Sequence, residues 1–156
     1  MPRILIATVL VAGLVAVAVG HAAGQSAPAP LWATVNSCGP NEMGVRASLP
    51  GNGTRQRMRV RFLAEWYSHD RQGWVPVDGV ASSPWLDAGS AQYKYQQTGW
   101  TFDIAPPASG HHYLLRGIAE MQWLSEGRVV RNATLVTRSG AAGVSLGGSS
   151  ASCSIG

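Results

Sequence analysis

The chain is built from short apolar runs of period two, separated by turn residues. The clearest run is 56–67, QRMRVRFLAEWY, with Met58, Val60, Phe62, Ala64 and Trp66 on one face and Arg57, Arg59, Arg61 and Glu65 on the other. Successive side chains of a strand point to opposite faces, so this alternation predicts a half-buried strand. Residues 113–124 repeat it, with Tyr113, Leu115, Gly117, Ala119, Met121 and Trp123 on one face. Trp100, Phe102 and Ile104 alternate with polar or small residues over 98–104, and Met43, Val45, Ala47 and Leu49 do so over 43–49. Segments 32–37, 74–77 and 128–137 are weaker strand candidates. Pro76 has no N–H to give to a ladder, which assigns 74–77 to an edge. GPN (39–41), PGNG (50–53), DRQG (70–73), PPASG (106–110) and SEG (125–127) supply the turns. SEG fits either a two-residue turn or a bulged one.

The N-terminus departs from this pattern. Arg3 precedes an apolar run over 4–19, and small and proline residues follow it, as in a secretory signal peptide spanning 1–24 with a linker at 25–30. The run is shorter than the roughly 20 apolar residues of a membrane span, with an uncleaved anchor as the rival reading. With no lipid-attachment cysteine after it and no C-terminal apolar segment, a soluble exported product is expected, with no membrane span after cleavage. The whole chain carries 12 basic and 8 acidic residues. Loss of Arg3 leaves a net charge of about +3, too small a surplus to point to nucleic acid. Two cysteines in an exported chain, Cys38 and Cys153, are expected to form one disulfide. They are too widely spaced for a short metal-ligand pair.

Seven strands at this spacing, without a helix, predict an all-β chain folded as an antiparallel β-sandwich over 31–138, with a Gly/Ser-rich tail at 139–156. In this order the strands resemble those of immunoglobulin-like and fibronectin type III domains. Segments 32–37, 43–49, 56–67 and 74–77 stand as A, B, C and C′, and 98–104, 113–124 and 128–137 as E, F and G. A short D strand has room within 83–95. The resemblance implies that Tyr113 closes the E–F corner by a hydrogen bond. It also implies that the last strand ends near the A–B corner, so that the disulfide ties the tail to that corner. The usual B–F cysteine pair is absent, with Val45 or Ala47 and Leu115 near those places. Such a likeness implies a fold and not an activity.

Charge selects a register. If C and F run antiparallel with residue numbers summing to 181, Glu65 meets Arg116 and Arg61 meets Glu120. The same register sets Leu63 against Ile118 and Tyr67 against Leu114, an apolar strip rimmed by Arg61, Arg116 and Glu120. This strip is a candidate interface for a protein partner.

Catalytic chemistry finds no foothold. GVSLG (143–147) matches the form of a nucleophile elbow, yet no His, Asp or Glu follows Ser145 and no helix is expected there. His111 and His112 are adjacent, which on a strand sends them to opposite faces, and His69 and Asp70 lie in another loop. Glu65 and Glu120 have arginine partners, and Asp78, Asp87 and Asp103 are near turns or strand ends. The chain is therefore read as noncatalytic, with no cofactor and no metal. Of the tryptophans, Trp66, Trp100 and Trp123 are assigned to the core. Trp74 and Trp85, with Tyr93 and Tyr95, are the candidate platform for a cell-envelope glycan. NGT at Asn52 and NAT at Asn132 are sequons for N-glycosylation.

Overall fold

The computed structural model describes residues 31–80, 82–140 and 149–156. The expected signal peptide, the linker and GVSLG lie outside the described residues. Within these, nine strands and no helix form two antiparallel sheets: β1 (Trp32–Gly39), β2 (Glu42–Pro50), β3 (Arg57–Ser68), β4 (Gly73–Pro76), β5 (Leu86–Ser90), β6 (Tyr95–Asp103), β7 (Tyr113–Ser125), β8 (Arg128–Val136) and β9 (Cys153–Ile155).

One sheet has the order β1-β2-β6, and the other runs β4-β3-β7-β8. The two long strands β3 and β7 lie side by side at the centre of the second sheet. Each is flanked on its far side by two short strands in tandem. β5 pairs with Arg57–Val60 of β3 and β4 with Glu65–Ser68. β8 pairs with Ile118–Ser125 of β7 and β9 with Tyr113–Leu115. The β3–β7 ladder holds the sum of 181 from Arg57↔Leu124 to Trp66↔Leu115, and includes Leu63↔Ile118, Arg61↔Glu120 and Glu65↔Arg116. Tyr67 and Leu114 fall just past its last pair.

The core is what alternation dictates. Met58, Val60, Phe62 and Ala64 of β3 and Leu115, Ala119, Met121 and Trp123 of β7 are fully buried, facing Ala33, Val35, Met43, Val45, Ala47 and Leu49 of the other sheet. Each large side chain removed from water in this way contributes about 1.5–3 kcal/mol. The sheets leave no room for a side chain at Gly117, where an added Cβ would stand 2.6 Å from Val45 Cγ2 and 2.9 Å from Thr137 Cγ2. The β7–β8 hairpin takes the first reading of SEG. Glu126 and Gly127 have φ of 50° and 78°, as a two-residue type I′ turn requires, and a separate bulge lies further along β8 at Val130, opposite the step from Trp123 to Leu124. β4 is an edge strand ending at Pro76.

Five features depart from expectation. The strand count is nine rather than seven, because β5 and β9 are added. β5 occupies the place allowed for a D strand but pairs with β3, not β6. β9 arises from the tail, where Ile155 is buried and the Cys38–Cys153 disulfide spans a Cα–Cα distance of 5.5 Å. Just before it, Ser150 exchanges two backbone hydrogen bonds with Val35, so this segment covers the edge of β1. Tyr113 packs its ring 5.9 Å from that of Trp66. Its hydroxyl makes no hydrogen bond among the described residues, so ring packing replaces the expected corner bond. Trp100, assigned to the core, is 37% exposed although its ladder partner Val45 is fully buried. Its side chain is on the inward face, but β6 is the outermost strand of its sheet, and among the described residues no strand pairs with it from beyond.

Candidate binding face

The outer face of the β4-β3-β7-β8 sheet brings together most of the side chains singled out above. Row by row along β3, Tyr67 stands beside Trp74, Glu65 beside Arg116, Leu63 beside Ile118, Arg61 beside Glu120 and Arg59 beside Gln122. Val136 extends the Leu63–Ile118 row onto β8. Leu63, Ile118 and Tyr67 are half-buried, while Leu114 and Val136 are exposed. This is an apolar row running across three strands, which the β8 contribution widens beyond the strip legible in the sequence.

Charged pairs close the row on both sides. Arg116 Nε donates to Glu65 Oε2 at 2.7 Å, and Arg61 Nε donates to Glu120 Oε2 at 2.9 Å. Arg59 Nε donates to Gln122 Oε1 at 2.8 Å. Solvated pairs of this kind contribute about 0–1 kcal/mol each. Their larger effect is to hold the guanidinium groups flat on the sheet, where they meet tryptophan. Arg116 lies 4.3 Å from the centroid of Trp74, and Arg59 and Arg61 lie 4.6 and 5.1 Å from that of Trp85. Sequence reasoning missed this stacking. Its signal was present in the arginines at every second position of β3, Arg57, Arg59 and Arg61, of which Arg61 is opposite a carboxylate on β7.

The four aromatics proposed as a sugar platform do not share one surface. Trp74 and Trp85 are both half-buried on this face. They sit beside rows roughly six residues apart on β3, or about 20 Å, and each has a guanidinium against its ring. Tyr67 makes edge contacts with Trp74 and His69, at centroid distances of 5.6 and 5.3 Å. Tyr93 and Tyr95 are exposed at the start of β6, in the other sheet.

One cleft adjoins the face and another opens on the core side of the sheet. The first, of about 500 Å³, is lined by Arg55, Arg57, Arg59, Trp85, Asp87 and Glu126. There Asp87 is ion-paired with Arg57. The Gly89 amide, and then Arg57, hold its carboxyl below the ordinary range. The other, of about 400 Å³, opens beside Trp66, Val77, Val80, Ile104 and Tyr113, with Asp78 and Asp103 on its rim. His111 and His112 are exposed. No group of three or more His, Cys, Asp or Glu able to hold a metal ion is present among the described residues. Asn52 is exposed, with its Oδ1 accepting from the Thr54 amide and hydroxyl, and Asn132 is exposed on β8.

No protein-family model matches the sequence, and no curated protein matches it. Among solved structures, the chain is similar to a glycosyl hydrolase family 2 member from Bacteroides cellulosilyticus (10% identity, TM-score 0.42, 69% of this chain and 14% of that one). It is also similar to a putative beta-galactosidase from Bacteroides fragilis (17% identity, TM-score 0.38, 70% of this chain and 16% of that one). A third is the Pseudomonas fluorescens alkylpurine DNA glycosylase AlkC (13% identity, TM-score 0.35, 69% of this chain and 29% of that one). The chain thus spans less than a third of each of these proteins.

Proposed function

We propose that the protein is an exported, noncatalytic immunoglobulin-like module that binds a protein partner at the cell envelope through the outer face of the β4-β3-β7-β8 sheet. The observation that carries this reading is the apolar row of Leu63, Ile118 and Val136, set between two ion-paired rows. A desolvated apolar centre with a charged rim is the anatomy of a protein interface. The immunoglobulin-like assignment rests on connectivity. β1, β2 and β6 stand as A, B and E, opposite β4, β3, β7 and β8 as C′, C, F and G. Export is supported by the disulfide, which persists in oxidising compartments. Among the described residues no helix is long and apolar enough to cross a membrane.

The test is a pull-down from cell-envelope fractions with the wild-type protein and with Leu63→Arg/Ile118→Arg. Both positions are only half-buried, so the variant is expected to keep its fold by circular dichroism and to lose at least about tenfold in binding, the effect of about 1.4 kcal/mol. Unchanged binding by a folded variant would exclude this face.

The half-buried ring of Trp74, next to Tyr67, supports a second reading, in which the same face takes a cell-envelope glycan. Trp74→Ala would then abolish retention on insoluble envelope polysaccharide and leave the Leu63/Ile118 variant's retention intact. The opposite pattern favours the protein partner.

A further inference from the structure

The three-stranded sheet ends in an open edge, and its backbone geometry says which groups are free. Ile104 N–H donates to Asn41 C=O at 2.8 Å, and Gly51 N–H donates to Lys94 C=O at 3.0 Å. These bonds bracket the unbroken β2–β6 ladder at its two ends. In an antiparallel pair, residues that exchange hydrogen bonds alternate with residues that do not. The even-numbered positions of β6 therefore point their N–H and C=O at β2. The odd-numbered ones, Tyr95, Gln97, Gly99, Thr101 and Asp103, point theirs away from it. Pro50, which has no N–H, is opposite one of the latter, Tyr95, as this phase requires. None of these five has a backbone partner on the open side among the described residues.

Three other edges are protected. Ser150 and Arg138 bond to β1, β4 is four residues long and ends in proline, and β8 carries Arg128, Arg131 and a bulge. β6 has nine residues, no bulge, no proline and no charge before Asp103. Such an edge is a template for pairing with another strand.

We propose that β6 is a self-association site, at which a second copy of the chain pairs antiparallel to extend the sheet from three strands to six. A two-fold axis at Gly99 pairs all five free positions: Gly99 with Gly99 of the second copy, Gln97 with its Thr101, and Tyr95 with its Asp103. Moving the axis by one residue leaves a free position unpaired. A further observation selects a copy of this chain over an unrelated strand. On the inward face, antiparallel pairing sets each Trp100 against Thr98 of the second copy and diagonal to its Trp100, covering the ring that is 37% exposed in the single chain.

Sedimentation velocity over a concentration series of the purified protein tests this. Gln97→Lys/Thr101→Lys opposes lysine with lysine at both symmetric pairs, and is expected to weaken the dimer about tenfold or more. Gln97→Lys/Thr101→Glu imposes the same exposed substitutions on the fold but opposes unlike charges, and is expected to restore wild-type association. Amide exchange should slow with concentration at Tyr95, Gln97, Gly99, Thr101 and Asp103. A monomer at every concentration, a dimer indifferent to the first variant, or a dimer that the second fails to restore would overturn the proposal.

Discussion

Replacing Cys38 and Cys153 together by serine is expected to lower stability by about 4–5 kcal/mol, the chain-entropy value for a loop of this length. The two cysteines are 115 residues apart, so the crosslink restrains nearly the whole described chain in its unfolded state. For a chain of this size the loss corresponds to a fall in Tm of roughly 10–20 °C. The local consequence is as informative as the global one. β9 is three residues long and is held by its ladder to Tyr113–Leu115, by burial of Ile155 and by the disulfide. Without the crosslink, the amides of β9 are expected to exchange before those of β3 and β7. Thermal melts with and without reductant, beside the double serine variant, measure the global term. A melt shifted by less than about 3 °C, or under 1 kcal/mol, would mean that the unfolded chain is already compact or that β9 is held by its apolar contacts alone.

What the sequence discloses of this fold depends on whether a pattern is repeated on a partner strand. Arg61 and Glu65 on one strand, matched by Glu120 and Arg116 on another, specify a register because a one-residue slip would send every apolar side chain to the solvent face. The β3–β7 ladder is accordingly the part read most closely. The same alternation could place Trp100 on an inward face but not reveal that β6 has no neighbour beyond it. Alternation describes a strand's faces, whereas exposure at an edge depends on the next strand. β9 was hidden because Cys153 and Ile155, with one serine between them, are too short a period to separate from a flexible tail. β5 was hidden for a related reason. LDAGS has little apolar content to choose between the two sheets, and its pairing with β3 follows from chain connection through Trp85 and Ser83. Ser83 Oγ accepts from the Phe62 amide at 2.9 Å, which fastens that connection to β3. The candidate face follows the same logic. Its Leu63–Ile118 row was legible from two strands that pattern strongly, while Val136 and the arginine–tryptophan stacks required the positions of β8, β4 and the segment before β5.

Trp123→Ala is expected to cost about 3–5 kcal/mol, and Trp123→Phe about 1–2 kcal/mol. The indole is fully buried between the sheets near the end of β7. Its Nε1 donates to the Pro50 carbonyl at 3.2 Å, and the Arg131 guanidinium lies 4.3 Å from its centroid. Alanine removes the ring's volume and leaves a cavity where β2 and β7 are bridged. Phenylalanine keeps most of the apolar contact and loses the hydrogen bond, so the difference between the two variants isolates packing from bonding. Trp100→Ala provides the contrast, because a ring 37% exposed at an open edge has much of its surface already in water. Its cost in a dilute, monomeric sample is expected to stay near 1 kcal/mol or below. Urea denaturation at fixed low protein concentration gives all three values. Equal losses for Trp123→Ala and Trp123→Phe would place the stabilisation in the bond to Pro50 and not in the filled core. A Trp100→Ala loss that grows with protein concentration would locate that ring's burial in contact between chains.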